Sequence, residues 1–299
     1  MRARASGTGW ELRNNLRSVG TMSATHRYIP GTAVEVVEEP VSGQIRHALF
    51  DYDGTVSYLR DGWQDIMVPL MIEVLEACPR HENRDELEKL VIDFVDHLTG
   101  KQTIYQMIRL AEEVEKRGGT PRDALEYKNE YYRRLNESVD QRYQEIKAGE
   151  RVREEFLVTG AEEFLAETRA RGIRCYLASG TDEEYVKEEV NVIGLDHYFD
   201  GGIFGAQANY ENFSKEKVIT EIFTEFDLNG PELLVVGDGY VEIQNGRAVD
   251  AVCLGLHTEE RNRYHMNADK RDRLLRAGAH LMGPDLKNAA AILDYLAVS

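Results

Sequence analysis

Asp51 and Asp53 stand one residue apart at the end of an apolar run, in HALFDYDGTVS (47–57), and Gly54-Thr55 follow at once. Strand interiors reject Asp and Gly. Either a strand ends here in a solvated turn, or two carboxylates have been placed at a strand's carboxyl end to do chemistry. Three other places gather groups of the same kind. Ser179-Gly180-Thr181 follow the apolar run IRCYLA, Asp238 and Glu242 follow LLVVG, and Lys215 and Lys217 precede LLVVG. Open α/β sheets bind ligands beyond the carboxyl ends of their strands, so carboxylates, hydroxyls and a cation would meet at one edge. Several acids there repel one another unless a hard cation sits among them, and oxygen-only ligands favour Mg²⁺.

The elements that must position these groups change character along the chain. Residues 33–38 (AVEVVE) and 45–50 (IRHALF) read as strands, with Pro40 and Gly43 punctuating a turn between them. From Asp61 the period becomes helical. Ile66, Met67, Leu70, Met71, Val74, Leu75 and Cys78 share one face, and Leu87, Leu90, Val91, Phe94, Val95 and Leu98 share another. A third helix is expected over Thr103–Arg117, ended by Gly118-Gly119. A fourth opens at Thr120-Pro121, with Thr120 as N-cap and Asp123 at the positive end, and closes near Ala148.

After Gly160 the two patterns alternate. Helices are expected at 161–171, 181–192, 214–226, 241–248, 270–277 and 285–296, and strands or extended segments at 173–178, 198–204, 233–236, 251–256 and 280–282. Such alternation with near-continuous apolar strands implies an α/β fold, a doubly wound parallel sheet covered on both faces. An all-α domain is inserted just after the first core strand. The expected boundaries are a disordered tail at 1–25, an N-terminal extension with the first core strand at 26–57, the helical insertion at 58–158, and the rest of the α/β core at 159–299.

With these placements the chain resembles the haloacid dehalogenase-like superfamily, whose four motifs occur here in order. DYDGT (51–55) matches the first, Ser179 of ASG the second, Lys215 of FSKEKVI the third, and VGDGYVE, with Asp238 and Glu242, the fourth. The resemblance spans about Ile45–Leu296, and the insertion is similar to a C1-type cap, as in phosphoglycolate phosphatases and β-phosphoglucomutases. It implies that Asp51 is a nucleophile forming an aspartyl phosphate, and that Asp53 is general acid and then general base. Mg²⁺ would be held by Asp51, the Asp53 carbonyl, Asp238 and Glu242. Thr55, Ser179 and Gly180 would contact phosphate, helped by N–H groups at the following helix start, and Lys215 would neutralise charge on the transferring group. An acid at position 53 points to phosphate esters rather than to dehalogenation.

Each feature also has a plainer explanation. Ser179-Gly180-Thr181 taken alone is an ordinary helix N-cap, and Glu242 an ordinary first-turn acid. Lys217 competes with Lys215, and motif spacing favours Lys215. In C1-capped relatives an inter-helix loop reads the leaving group; here that points to Thr99, Gly100, Lys101 and Gln102, with an exposed polar turn as the alternative. Arg60 and Trp63 are further candidates to line the site. The tyrosines 127, 131, 132 and 143 read as helix-packing surface.

The 299 residues carry a net charge of −17, which disfavours nucleic acid and anionic membranes as partners. A small phosphorylated metabolite is the expected partner, through a local basic pocket. Three scattered cysteines without CxxC suggest neither a disulfide framework nor zinc, and a reduced, cytoplasmic setting. No apolar run is long enough to span a membrane. The Arg-rich first residues lack the apolar core of a secretory signal, and Met22 is a candidate alternative start. The reading is therefore an Mg²⁺-dependent phosphomonoester hydrolase acting on a sugar phosphate or phosphoglycolate. Its alternatives are a phosphomutase of the same fold and a catalytically idle binding module, to which the unplaced segment 26–44 would belong.

Overall fold

A computed structural model describes residues 27–41, 45–207, 210–259, 263 and 265–296. The expected tail at 1–25, the alternative start at Met22 and the turn residue Gly43 lie outside these residues. Eight strands form one sheet in the order β1-β2-β8-β7-β6-β3-β4-β5. Its parallel centre consists of β3 (His47–Phe50), β4 (Arg174–Asp182), β5 (Gly202–Ala206), β6 (Leu233–Gly237), β7 (Val252–Leu256) and β8 (Leu281–Gly283). β3, β6 and β7 are buried along their whole length, as unbroken apolar runs demand when helices cover both faces.

The register carries the functional consequence. Phe50 pairs with Leu177 on one side and Val236 on the other. The next residues along the three strands, Asp51, Ala178 and Gly237, therefore stand level, and Asp51 extends the ladder by donating its N–H to the Val236 carbonyl at 2.9 Å. Around this centre lie α5 (Ala161–Ala170), α6 (Glu183–Val192), α7 (Lys215–Phe226), α8 (Tyr240–Ala248), α9 (Ala268–Ala277) and α10 (Ala289–Tyr295).

The segment before the first core strand has a place in the sheet. β1 (Arg27–Tyr28) and β2 (Glu35–Val36) pair antiparallel, and β2 pairs antiparallel with β8. The strand expected over 33–38 shortens to two residues and adds to the sheet's far edge, rather than lying beside β3. The loop between β1 and β2 is anchored by Ile29 and Val34, both buried.

Between β3 and β4 the chain forms α1 (Gln64–Glu76), α2 (Arg84–Leu98), α3 (Thr103–Lys116) and α4 (Ala124–Lys147), with no strand among them. Their inward stripes, among them Met71, Leu75, Leu87, Val91, Met107, Leu110 and Leu135, are fully buried. α4 starts later than expected. Asp123, not Thr120, is its N-cap, accepting from the Leu125 N–H at 2.8 Å. The three residues before it are not helical, and the Tyr127 hydroxyl holds the Arg122 N–H at 3.1 Å. Among the described residues, no helix is long and apolar enough to cross a membrane.

A buried ion pair pins the linker between the sheet and this helical block. Arg60 is 4% exposed and Glu189 of α6 not at all. Arg60 Nε approaches Glu189 Oε1 at 2.8 Å, and the guanidinium lies 5.6 Å from the Tyr132 ring centre and 5.8 Å from that of Tyr185. From α4, Arg142 donates to the carbonyls of Leu59 and Asp61. Removing one member of a buried pair strands the other charge, whereas replacing both with apolar groups is often neutral. Glu189→Ala should therefore lower the unfolding free energy in urea by about 3–5 kcal/mol, with most of it recovered in Arg60→Met/Glu189→Leu. A single-variant loss under about 1 kcal/mol would mean that the pair is effectively solvated.

Candidate active site

The site is built at the carboxyl ends of β3 and β6, beside the last residues of β4. Asp51 leaves β3 and is 7% exposed. Gly54, at φ 75°, turns the chain back so that its N–H reaches the Ser57 carbonyl at 2.9 Å. Tyr52, between the two aspartates, is fully buried in the main apolar core. Asp53 faces the same cavity as Asp51, and its Oδ2 accepts from Thr181 Oγ1 at 3.2 Å and Ser179 Oγ at 3.5 Å.

β6 delivers Asp238 and then α8. Glu242, in the first turn of α8 and 1% exposed, sends Oε1 back to the Gly239 N–H and Oε2 to Lys215 Nζ at 2.9 Å. The plain reading of Glu242 as a helix-start acid is therefore correct, and its other oxygen faces the site. Space for it comes from Gly237, where a Cβ would fall 2.3 Å from Glu242 Cγ.

Lys215 opens α7 beneath Asp51. It is 4% exposed and reaches Asp51 Oδ1 at 2.6 Å. Lys217 is exposed and bonds the Glu211 carbonyl instead. Ser214 sets this difference by capping the helix, accepting from the Lys217 N–H at 3.1 Å, so the first helical side chain turns inward.

Oxygens of Asp51, Asp238 and Glu242 lie within 4.8 Å of one another. Burial alone would lower the Lys215 pKa, but Asp51 and Glu242 overcome it and hold the ammonium charged. For Asp51 burial wins. Its pKa stands well above the usual carboxylate range despite Lys215, with Glu242 and Asp238 adding repulsion. Such a cluster is short of positive charge. A second ammonium, Lys270 of α9, reaches Asp238 Oδ2 at 2.7 Å. With these three acids ionised, two ammoniums leave a net negative charge, which a divalent cation would offset. Three clustered carboxylates as hard oxygen donors fit Mg²⁺.

Some expected residues are placed differently. β4 runs on through Ser179-Gly180-Thr181 to Asp182, and α6 begins only at Glu183. Ser179 is therefore not a helix cap. Its hydroxyl is fully buried, accepts from the Thr181 N–H at 3.1 Å and faces Asp53. Thr55 likewise points to a carboxylate, Asp238 Oδ1, at 3.4 Å.

The loop between α2 and α3 is seated on the core. A Cβ on Gly180 would fall 2.7 Å from the Lys101 carbonyl, and one on Gly100 3.3 Å from Val241 Cγ2. Thr99, Gly100 and Lys101 line the cavity. Gln102 does not. Its amide, 4% exposed, donates to the Tyr210 and Phe213 carbonyls, both at 2.8 Å, just ahead of Lys215. It ties the loop to that backbone instead of facing the cavity. Together with Arg60, Trp63 and Tyr131, these residues bound a cavity of about 680 Å³ that includes Asp51, Asp53 and Lys215. Lys270 and Glu189 were not among the residues anticipated, since neither lies in a motif.

Gly54 tests how closely the parts fit. A Cβ there would fall 2.3 Å from Asp238 Oδ2. Gly54→Ala should cost more unfolding free energy than the roughly 1–2 kcal/mol of a left-handed residue alone, and adding Asp238→Ala should bring the cost back to that range. A single-variant cost already within it would mean that Asp238 moves aside freely.

A family model described as haloacid dehalogenase-like hydrolase matches residues 45–250. No curated protein matches the chain. Among solved structures, one of a predicted phosphoglycolate phosphatase from Haemophilus somnus 129PT superposes with a TM-score of 0.57 at 18% identity, over 85% of this chain and 99% of that one. A β-phosphoglucomutase from Clostridium difficile gives 0.57 at 15% identity, over 85% and 97%. A predicted phosphatase from Clostridium acetobutylicum gives 0.57 at 16%, over 84% and 100%. These likenesses concern the fold, while the family match spans more than half of the chain. The chain belongs to the haloacid dehalogenase-like hydrolases.

Proposed function

We propose that this chain is an Mg²⁺-dependent phosphomonoester hydrolase working through an aspartyl phosphate on Asp51, with a small phosphorylated metabolite as substrate. The observation that carries the reading is the division of labour between two neighbouring acids on one cavity wall. Asp51 is paired with an ammonium, and Asp53 with two hydroxyls.

An Asp51 oxygen attacks phosphorus, the ester P–O bond breaks, and the leaving oxygen takes a proton from Asp53. Asp53, now ionised, takes a proton from water, whose oxygen attacks the phosphorus of the aspartyl phosphate and restores Asp51. Lys215, bound to Asp51 Oδ1, offsets negative charge on the nucleophile and the transferring group. Ser179 and Thr181 hold Asp53 in place for both proton transfers. Bound at Asp51, Asp238, Glu242 and the Asp53 carbonyl, Mg²⁺ would supply charge neutralisation for the phosphoryl oxygens. The helical block acts as the cap, and Thr99-Gly100-Lys101 close the cavity against water.

An idle binding module is the weaker reading. Its support was an N-terminal segment with no place in the fold, and residues 27–28 and 35–36 extend the sheet.

With p-nitrophenyl phosphate and Mg²⁺, the wild-type chain should release inorganic phosphate and Asp51→Asn should not. Asp53→Asn should slow turnover by about 10²–10⁴. EDTA should stop the reaction and added Mg²⁺ restore it. Unchanged activity in Asp51→Asn, or none in the wild type, would sink the proposal. Return of the phosphoryl group to a sugar without net phosphate release would identify a mutase instead.

A further inference from the structure

The cavity beside Asp51 continues along α9, and its charge changes as it goes. Lys270, Arg273 and Arg276 all line it, at a spacing of three that keeps them on one helix face. Lys270 fixes the direction of that face, because its ammonium reaches Asp238 at 2.7 Å. At 1.5 Å rise per residue, Arg273 and Arg276 then stand about 4.5 and 9 Å further along the axis. Lys101, exposed on the loop between α2 and α3, lines the same cavity from the helical block.

The acids of this cavity are mostly committed to other partners. Asp51 and Asp238 have their ammoniums, and Asp53 its two hydroxyls. Asp96 accepts from Gln64 at 3.0 Å, Glu259 from Asn267 at 2.9 Å, and Asp61 lies 3.9 Å from Arg263. Among the described residues, Lys101, Arg273 and Arg276 have no carboxylate within 4.0 Å. Asp269, exposed in the first turn of α9, is an acid that has no such partner either. In a chain of net charge −17, three cations left without carboxylates around one cavity need a physical reason.

We infer that Lys101, Arg273 and Arg276 form a subsite for a second oxyanion, so that the substrate is the phosphate ester of an alcohol that itself carries a distal phosphate or carboxylate. Guanidinium groups grip either oxyanion through paired N–H donors. The distance along α9 suits a leaving group of roughly sugar size, with its ester at Asp51 and its free anion toward Arg276. Lys101 comes from the helical block, so the same anion would also favour seating of that block over the core. The inference rests on the phosphatase reading of this site and narrows its substrate class.

The test compares kcat/KM for esters that differ only in the distal group: a sugar bisphosphate against the monophosphate, and a phosphorylated hydroxy acid against its amide. The distal anion should be preferred by at least about tenfold, the value of one charge-assisted contact. In Arg273→Gln/Arg276→Gln that ratio should fall toward one. In Arg271→Gln, on the same helix but paired with Glu35 at 2.7 Å, it should stay as in the wild type. Equal turnover within both matched pairs, or a double variant that keeps the preference, overturns the subsite. If no ester is turned over, the phosphatase reading fails, yet calorimetry of the bisphosphate with Asp51→Asn still decides this point. Binding weakened about tenfold or more by the two Arg changes sustains the subsite, and unchanged binding overturns it.

Discussion

Everything at the strand ends answers one electrostatic demand. Three carboxylates, Asp51, Asp238 and Glu242, are held within 4.8 Å of one another in a largely dry place. Carboxylates do not gather this way without compensation. Lys215 supplies part of it from α7, and Lys270 part from α9. The local backbone is shaped to allow the packing. At Gly54 and Gly237 any side chain would collide with a member of the cluster, and Glu242 spends one oxygen on capping its own helix. The sheet register does the rest, since Phe50 pairs with Val236 and sets the next residues, Asp51 and Gly237, side by side.

The helical block is integrated with this arrangement rather than appended to it. Gln102 reaches down to the backbone that leads into Lys215, and the Lys101 carbonyl lies against Gly180. Arg60 and Glu189 lock the linker from inside.

Much of this was legible in the sequence for definite reasons. Fully buried parallel strands are continuous apolar runs, so β3, β6 and β7 announced themselves, as did the buried apolar part of β4, and with them the strand ends at which Asp51, Asp53 and Asp238 stand. Amphipathic stripes likewise marked α1 to α4. The failures are instructive. Ser179-Gly180-Thr181 looked like a helix cap because local hydrogen-bonding propensity cannot foresee that β4 continues with a register shift beside β5. The cap of α4 moved from Thr120 to Asp123, both sound choices locally. β1 and β2 are two residues each and held by a non-local edge pairing with β8, below what periodicity can register. Lys270, Glu189 and Gln102 act across 32, 129 and more than 100 residues of chain respectively, and no pattern in the sequence encodes such partners.

The central claim is that the phosphoryl group passes through Asp51 itself. It is tested most directly by rapid acid quench of the protein during turnover of a phosphate ester, followed by mass spectrometry of its peptides. The account expects one phosphoryl group on the peptide containing Asp51, labile at alkaline pH, enriched in Asp53→Asn and missing from Asp51→Asn. Steady turnover with no phosphorylated peptide in either the wild type or Asp53→Asn, or with the label on another residue, would contradict it.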